Sequence, residues 1–556
     1  MRSSFSGIEI SKRALFSQQT ALQTTSHNIA NANTAGYSRQ VVNLTASNPL
    51  EAVGLMRSTI PGQIGMGVEF DSIRRIRDTF LDQQFYNENK DLGSWTVRQA
   101  TLEKLEAITN EPSDGGNAKV IEGFWNAWQV LSNEPESATA RAALKESALA
   151  MTDSFNHTAK QLDELKNSLT HNLDVKAQEA NTILEQVARL NNEIFRVEGL
   201  GNDANDLRDK RDLLVDGLSK IINIAVDETA SGYNIRMGSF QLVNGINVET
   251  SFETINPSDV EGSKINFEQS MESGDLISGE THGMIVSRDT YLAAYQYQLD
   301  SMINAMVQGN VEVTLPKGSI LPPSLPAGTI IGNTTYTGTE VLSDAQRILT
   351  ADTKITVKGV NGLHGLGYTL ESPAKSGIPF FTSSNPEQTN FNAANIRVNI
   401  DIVNKPMNIT SSLRVATTET NGVITIDRDA NNNEIVVKGN NTINLLAAGL
   451  KNTRINFDPE ATGIPLLSNG TFNDYYQAIV GQLGLQAQEA NRQSQNQKIL
   501  VDQVDGRRQS VSGVSMDEEV SNMIKFQHAY NAAARSMTTF DQMLDKIINS
   551  MGIVGR

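Results

Sequence analysis

The sequence predicts a mainly α-helical chain with a β insertion. Its parts are a terminal α-helical coiled coil, a middle domain that bundles long helices, and a β-rich domain inserted into that bundle. Three observations predict it. Apolar side chains recur every seven residues at both ends of the 556-residue chain, as Ile8, Leu15, Leu22 and Ile29 and as Met523, Tyr530, Met537, Leu544 and Met551. In the second series Phe526, Ala533, Phe540 and Ile547 are interleaved three residues on, which is the pattern of a supercoiled helix seam. No proline or glycine interrupts residues 138–197. Residues 311–457, by contrast, are rich in Thr, Val, Ile, Asn and Gly and all but lack helical spacing.

The first helix carries the Ile8 to Ile29 stripe, with Ser11, Gln18 and Thr25 three residues on. So narrow a stripe buries little by itself, and the richer C-terminal stripe is its obvious partner. Asn28, Asn31, Asn33, Thr34 and Gly36 stop this helix before Tyr37, because Asn and Thr side chains compete for backbone groups and glycine permits positive φ. A partly extended connection passes Pro49 and Pro61 to Gly62, Gly65 and Gly67. A second helix is expected from about Asp71, with Ile73, Ile76, Phe80, Leu102, Leu105 and Ile108 on its apolar side and a stop in residues 111–116. A short helix with Phe124, Trp125 and Trp128 then anchors a helical core.

The long helix places Phe155, Leu162, Leu169, Ile183, Leu190 and Val197 in one seven-residue repeat, broken at Lys176, and Gly199 and Gly201 close it. The run Asn205–Leu214 opens the next helix, with Asn205 as cap and Asp206 four residues before Lys210. It reads either as a solvated helix start or as an interlocking charged patch of Asp206, Arg208, Arg211 and Asp212. Alternating runs across 223–280 read as short strands, and helical spacing returns at Ile285, Leu292, Leu299, Ile303 and Met306. After the insertion it resumes at Thr471 and continues through Ile479, Leu483 and Leu485 to Val504. The chain therefore divides as 1–60 with 510–556, 61–309 with 458–509, and 310–457.

The formal charge of −17 is unevenly placed: residues 1–50 carry +3, residues 507–556 carry +1 and the middle −21. Phosphate recognition needs clustered Lys and Arg, so neither nucleic acid nor an anionic membrane is expected as a partner of the body. Cysteine is absent, which removes disulfides, thiolate nucleophiles and Cys-based metal sites. No apolar run reaches signal-peptide or membrane-spanning length. By composition alone the chain is expected in the cytoplasm.

Catalytic constellations are weak. The six histidines, at 27, 157, 171, 282, 364 and 528, show no metal-binding spacing. Gly199–Ala204 follows a helix rather than a strand and reads as a helix-ending turn, not a dinucleotide loop. Asp427–Asn431 lacks the glycine of a calcium loop and reads as a hairpin turn. No catalytic residue, metal or cofactor is expected.

Ser26-His27-Asn28-Ile29-Ala30-Asn31-Ala32-Asn33-Thr34-Ala35-Gly36-Tyr37-Ser38-Arg39 resembles the amino-terminal signature of bacterial flagellar rod and hook proteins. Ser512–Glu519 followed by Phe526–Arg535 resembles the matching carboxy-terminal signature. Within that axial superfamily the long helix, the Asn205–Leu214 run and the Ser-Gly-Val with Asp-Glu-Glu pair resemble the hook-associated proteins of the hook–filament junction. The resemblance covers residues 1–240 and 470–556 and leaves the insertion unmatched.

It implies type III export without a cleaved signal, assembly outside the cell as a ring, and terminal helices that order on assembly. The coiled coil would form an inner layer and the insertion an outer one. It also implies as partners the hook protein, a second hook-associated protein, the filament, and an export chaperone on the C-terminal helix. Another axial protein of hook or distal-rod type, or a scaffold carrying a surface-binding β module, are the alternatives.

Overall fold

The computed structural model describes residues 5–48, 65–111, 116–253, 263–371, 373–385, 387–420, 423–457 and 467–550. Met551, the stretch from Pro49 to Gly62, and Pro112 to Gly115 lie outside them. The chain opens with α1 (Ser6–Ala30), then β1 (Gln40–Ala46) and β2 (Val68–Arg75). Next come α2 (Thr79–Thr109), α3 (Asn117–Asn133), α4 (Ala138–Glu198) and α5 (Asn205–Ile221). Strands β3 (Ala225–Thr229), β4 (Gly232–Met237), β5 (Phe240–Asn244) and β6 (Asn247–Val248) form an antiparallel meander. A parallel pair, β7 (Thr250–Phe252) with β8 (Ser263–Ile265), precedes α6 (Phe267–Glu272) and α7 (Glu280–Val286). A π-helical turn over Ser287–Leu292 leads into α8 (Ala293–Gln308).

Beyond α8 lie β9 (Asn310–Leu315), β10 (Ile330–Ile331), β11 (Thr334–Thr335), α9 (Asp344–Arg347) and β12 (Thr353–Lys358). They are followed by α10 (Gly359–Leu366), β13 (Phe381–Ser383), β14 (Ile396–Val398), α11 (Ile400–Asn404), β15 (Thr417–Thr420) and β16 (Val423–Ile426). Helix α12 (Thr442–Gly449) and the short strands β17 (Ile455–Asn456) and β18 (Asn469–Gly470) precede α13 (Phe472–Ser512) and α14 (Met516–Ser550). The protein is mainly helical with a β-rich insertion, as its periodicities predict.

Four local expectations are corrected. Residues 68–75 form strand β2, paired antiparallel with β1, so Ile73 belongs to a ladder and α2 starts only at Thr79, leaving Phe80 exposed. The strict repeat along α4 drifts: Phe155, Leu162 and Leu169 are buried, but Ala177, Leu184 and Asn191 take over from Lys176, Ile183 and Leu190. An unsupercoiled helix rotates about 20° per heptad, which moves the buried line round by one residue. Leu485 on α13 is exposed. The insertion also holds the buried helix α10 and the partly buried α12, whose short glycine-bearing segments are too brief to show a period.

The chain forms two compact units: residues 1–96, 173–283 and 493–556, and residues 97–172 and 284–492. In the second, the aromatic side chains of α3 do not close a purely helical core. Phe124 and Trp128 pack with Phe380 and Phe381 from the insertion, and Trp125 stacks on Phe472 of α13 at 5.6 Å. Asn441 and Asn444 at the start of α12 donate to the Ser132 and Leu131 carbonyls, satisfying the open end of α3.

His364 of α10 lies fully buried beside Phe380. Its Nε2 accepts the Thr410 N–H and its Nδ1 faces the Ile378 carbonyl at 2.7 Å, so the neutral Nδ1–H form fits. Burial pushes its pKa down to about 4, with Arg141 adding to the effect. Because the folded value lies below the unfolded one of about 6.5, His364 supports folding above pH 6.5, and that support is lost as pH falls toward 4. The loss amounts to about 3 kcal/mol. Denaturation at pH 7 and pH 4.5, followed through Trp125 and Trp128, should show this slope in the parent and a flatter one in His364→Gln. Asp300, raised to about 6 by burial, runs the opposite way in both proteins and cancels in the difference.

In the first unit, Asn side chains on α4 splice the strands to the helix. Asn181 exchanges two hydrogen bonds with Phe252, and Asn191 donates to the Tyr233 and Gly245 carbonyls while accepting the Tyr233 N–H. Gly232, at φ +117°, is needed there because a Cβ would overlap Asn191.

Candidate functional site: a joint at the foot of the terminal helices

The three sequence motifs, as many as 491 positions apart, meet in one place in the first unit. Asn28 is buried at the end of α1, and all its hydrogen-bonding capacity is used: Nδ2 donates to the Gln40 carbonyl and Glu519 Oε2, and Oδ1 accepts from the Gln40 N–H and the Tyr37 hydroxyl. Glu519, in the first turn of α14 and 2% exposed, accepts from Arg39 Nε at 2.8 Å, while Arg39 Nη1 reaches Glu518. The Arg39 N–H donates to the Ser512 carbonyl, and the Arg39 carbonyl accepts from Ile76 N. The turn itself depends on Gly36, at φ +76°. Asn31 folds back on the His27 carbonyl and accepts Thr34 Oγ1, whereas Asn33 is exposed.

Helix α5 supplies the other side. Ser38 N donates to Asp209, Gln40 Nε2 to Asp206, and His27 faces Asp206 at 3.3 Å. Asn205 is therefore not the helix cap, a position held by Ala204; its Nδ2 goes to the Ile73 carbonyl at 2.6 Å and to Gln40. Asp206 likewise serves His27 and Gln40 from its place ahead of Lys210.

Behind this lies a cluster of buried charges. Asp212, 1% exposed, meets Arg75 at 2.8 Å and Arg77 at 3.1 Å; Arg75 also binds Asp209, and Arg77 binds Asp82. Burial alone would raise the Asp212 carboxyl, but Arg77 and Arg75 outweigh it and hold it below the usual range. Arg211, fully buried, lies over the Tyr233 ring and donates to Asn191 and Glu228, while Arg208 clasps Glu198 and Glu228. Arg508 of α13 bridges Asp82 and Asp216, and burial pushes Asp216 up to about 6 despite that arginine.

Sequence reading missed Arg75, Arg77, Asp82, Asp209, Asp216 and Arg508. The signal available was three arginines within residues 74–77 of an otherwise acidic region.

Along the terminal pair, Ile8, Leu15, Leu22 and Ile29 are half-buried, and the fully covered residues of α1 are Gly7, Ser11, Ser17, Ala21, Thr24, Thr25 and Asn28. On α14, Met523, Phe526 and Met537 are half-buried and Leu544 buried, while Tyr530 and Phe540 are a third exposed and Ile547 half exposed. Among the described residues, no group of three His, Asp or Glu is placed to hold a metal ion, and no helix is long and apolar enough to cross a membrane.

Paired terminal helices locked onto a charged body are the architecture of an axial structural protein. Family comparisons bear on the same segments: residues 8–37 match the flagella basal body rod protein model and residues 508–551 the flagellar basal body rod FlgEFG protein C-terminal model. Residues 102–310 match the flagellar hook-associated protein FlgK helical domain. Over 563 residues, covering 100% of both chains, the sequence is 33% identical to flagellar hook-associated protein 1 of Bacillus subtilis strain 168. It is 25% identical, over 96% of its length and 97% of the relative's, to flagellar hook-associated protein 1 of Salmonella typhimurium. The fold resembles the flagellar hook junction protein FlgK from Burkholderia pseudomallei, with a TM-score of 0.50 at 14% identity, covering 77% of this chain and 100% of that one. The chain belongs to the flagellar hook-associated protein 1 family, whose members are structural rather than catalytic.

Proposed function

We propose that the chain is exported unfolded, without a cleaved signal, and assembles outside the cell as a ring between the flagellar hook and filament. The terminal pair forms the inner layer, residues 61–309 with 458–509 the middle, and residues 310–457 an outer knob. Its neighbours are its own copies, the hook protein, the second hook-associated protein and the filament; before export a chaperone covers the C-terminal helix.

What carries this reading is the surface of the terminal pair. Phe5 and Phe16 of the N-terminal segment and Met543, Ile547 and Ile548 of α14 are each more than half exposed, an apolar load that suits burial against neighbouring copies. The half-buried stripe of α1 flanks this surface. Leu15→Asp with Leu22→Asp is expected to abolish filament growth on otherwise normal hooks. Hooks that still acquire filaments in that strain would refute the role given to this seam.

A further inference from the structure

We infer that Asn28–Glu519 at one end and Gly7–Phe540 at the other form a two-sided register lock that holds α1 and α14 in one of several alignments their heptads would allow. Asn28 Nδ2 meets Glu519 Oε2 at 3.1 Å, and a Cβ on Gly7 would stand 2.5 Å from the Phe540 ring. Between these contacts each helix advances by the same number of residues, in opposite directions. The pair is therefore antiparallel and in step, with Ala14 level with Ala533 and Ala21 level with Phe526.

Nothing in the apolar pattern selects this alignment. Both helices repeat every seven residues, so sliding one by a heptad, about 10 Å, returns the same kind of face to the same partner. A buried polar pair is the best-attested device for removing such degeneracy. Here the two contacts block opposite slips. Moving α14 one way brings Glu519 level with Ala21, so a carboxylate buried in the joint loses Asn28 and Arg39 and faces a methyl group. Moving it the other way brings Phe540 level with Ala14, whose Cβ occupies the space that Gly7 leaves open for the ring. The same slip sets Phe526 against the amide of Asn28.

The geometry stands by itself; only its consequence rests on the assembly reading above. Ile8, Leu15, Leu22 and Ile29 lie one position round from Gly7, Ala14, Ala21 and Asn28. In this register Leu22 and Ile29 are the two of the four that stand nearest the level of the exposed Met516, Val520 and Ile524 of α14, so the register sets the surface offered to a neighbouring copy.

The chain has no cysteine, so introduced pairs report alignment without background. Three full-length double-cysteine chains are treated, dilute, with a short bismaleimide. Ala14→Cys with Ala533→Cys reads the native register, Ala14→Cys with Phe526→Cys one slip, and Ala21→Cys with Ala533→Cys the other. In the parent the native pair should cross-link at least about tenfold more than either slipped pair. Adding Asn28→Ala with Glu519→Ala should shift product to the 14/526 pair, and adding Phe540→Ala instead should shift it to the 21/533 pair. Comparable yields from all three pairs in the parent would overturn the lock, as would a native pair that stays dominant in both release variants. Loss of every cross-link in the release variants, with helix content unchanged by circular dichroism, would also overturn it, because the contacts would then hold the helices together rather than align them. Failure of the filament-growth test with this pattern intact would remove the proposed function and leave the lock standing.

Discussion

Asp212→Asn should lower the stability of the first unit by about 3–5 kcal/mol, the cost typical of removing one partner from a buried ion cluster. The substitution preserves shape, deletes the charge and turns one acceptor oxygen into an NH2 donor facing arginines. Arg75 would be left with Asp209 alone, Arg77 with Asp82 alone, and the wholly buried Arg211 with Glu228. Guanidinium groups do not shed their protons at accessible pH, so the surplus positive charge must be borne by the folded state. The effect should fade in acid. Asp212 has a folded pKa below its unfolded value, so its contribution is complete above about pH 4 and disappears as pH falls through the depressed value. Trp95 lies in the first unit and Trp125 and Trp128 in the second, so a Trp125→Phe, Trp128→Phe background turns urea denaturation into a reading of the first unit alone. A shift of under about 1 kcal/mol there would mean that the cluster relaxes or admits water once the charge is gone.

Trp128→Ala should destabilise the second unit by about 3–5 kcal/mol, the range for truncating a buried indole. Trp128 is fully buried and packs against Phe124 and Phe380, so its removal opens a cavity where α3 meets the insertion. Trp128→Phe should cost far less, about 1–2 kcal/mol, because most of the ring volume stays in place. The indole Nε1 is buried with no hydrogen-bond partner among the described residues, so neither variant loses a hydrogen bond there. Denaturation followed through Trp125 in a Trp95→Phe background separates the two variants. Equal losses would show that the lost ring volume does not set the cost.

Periodicity exposed what is local. The long helix, both terminal helices and the Gly36 turn follow from spacing and from residues that cannot continue a helix, and each stands where those signals put it. Partnership was hidden. That Phe124 would meet Phe380 and Phe381, or that Asn205 would leave the cap position to reach Ile73, depends on chain segments more than a hundred residues away. Helical spacing carries no record of such pairings. The joint was half legible: its motifs stood out as Asn28 to Arg39, Asn205 to Leu214 and Asp517 to Glu519, but nothing local said that the three touch. The arginines at 74, 75 and 77 went unread because Ile73 and Ile76 fit a helical spacing, so the stretch read as the start of the second helix rather than as the end of β2.

The partner of Asn28 lies 491 residues later in the chain. At a synthesis rate of roughly 5–20 residues per second, α1 therefore waits about 25–100 seconds after its own translation before α14 exists at all. Through that interval the amino-terminal stripe has no intrachain helix to pair with. Helix α1 stays open to whatever reads it first, and a segment made 491 residues later is the one that closes it.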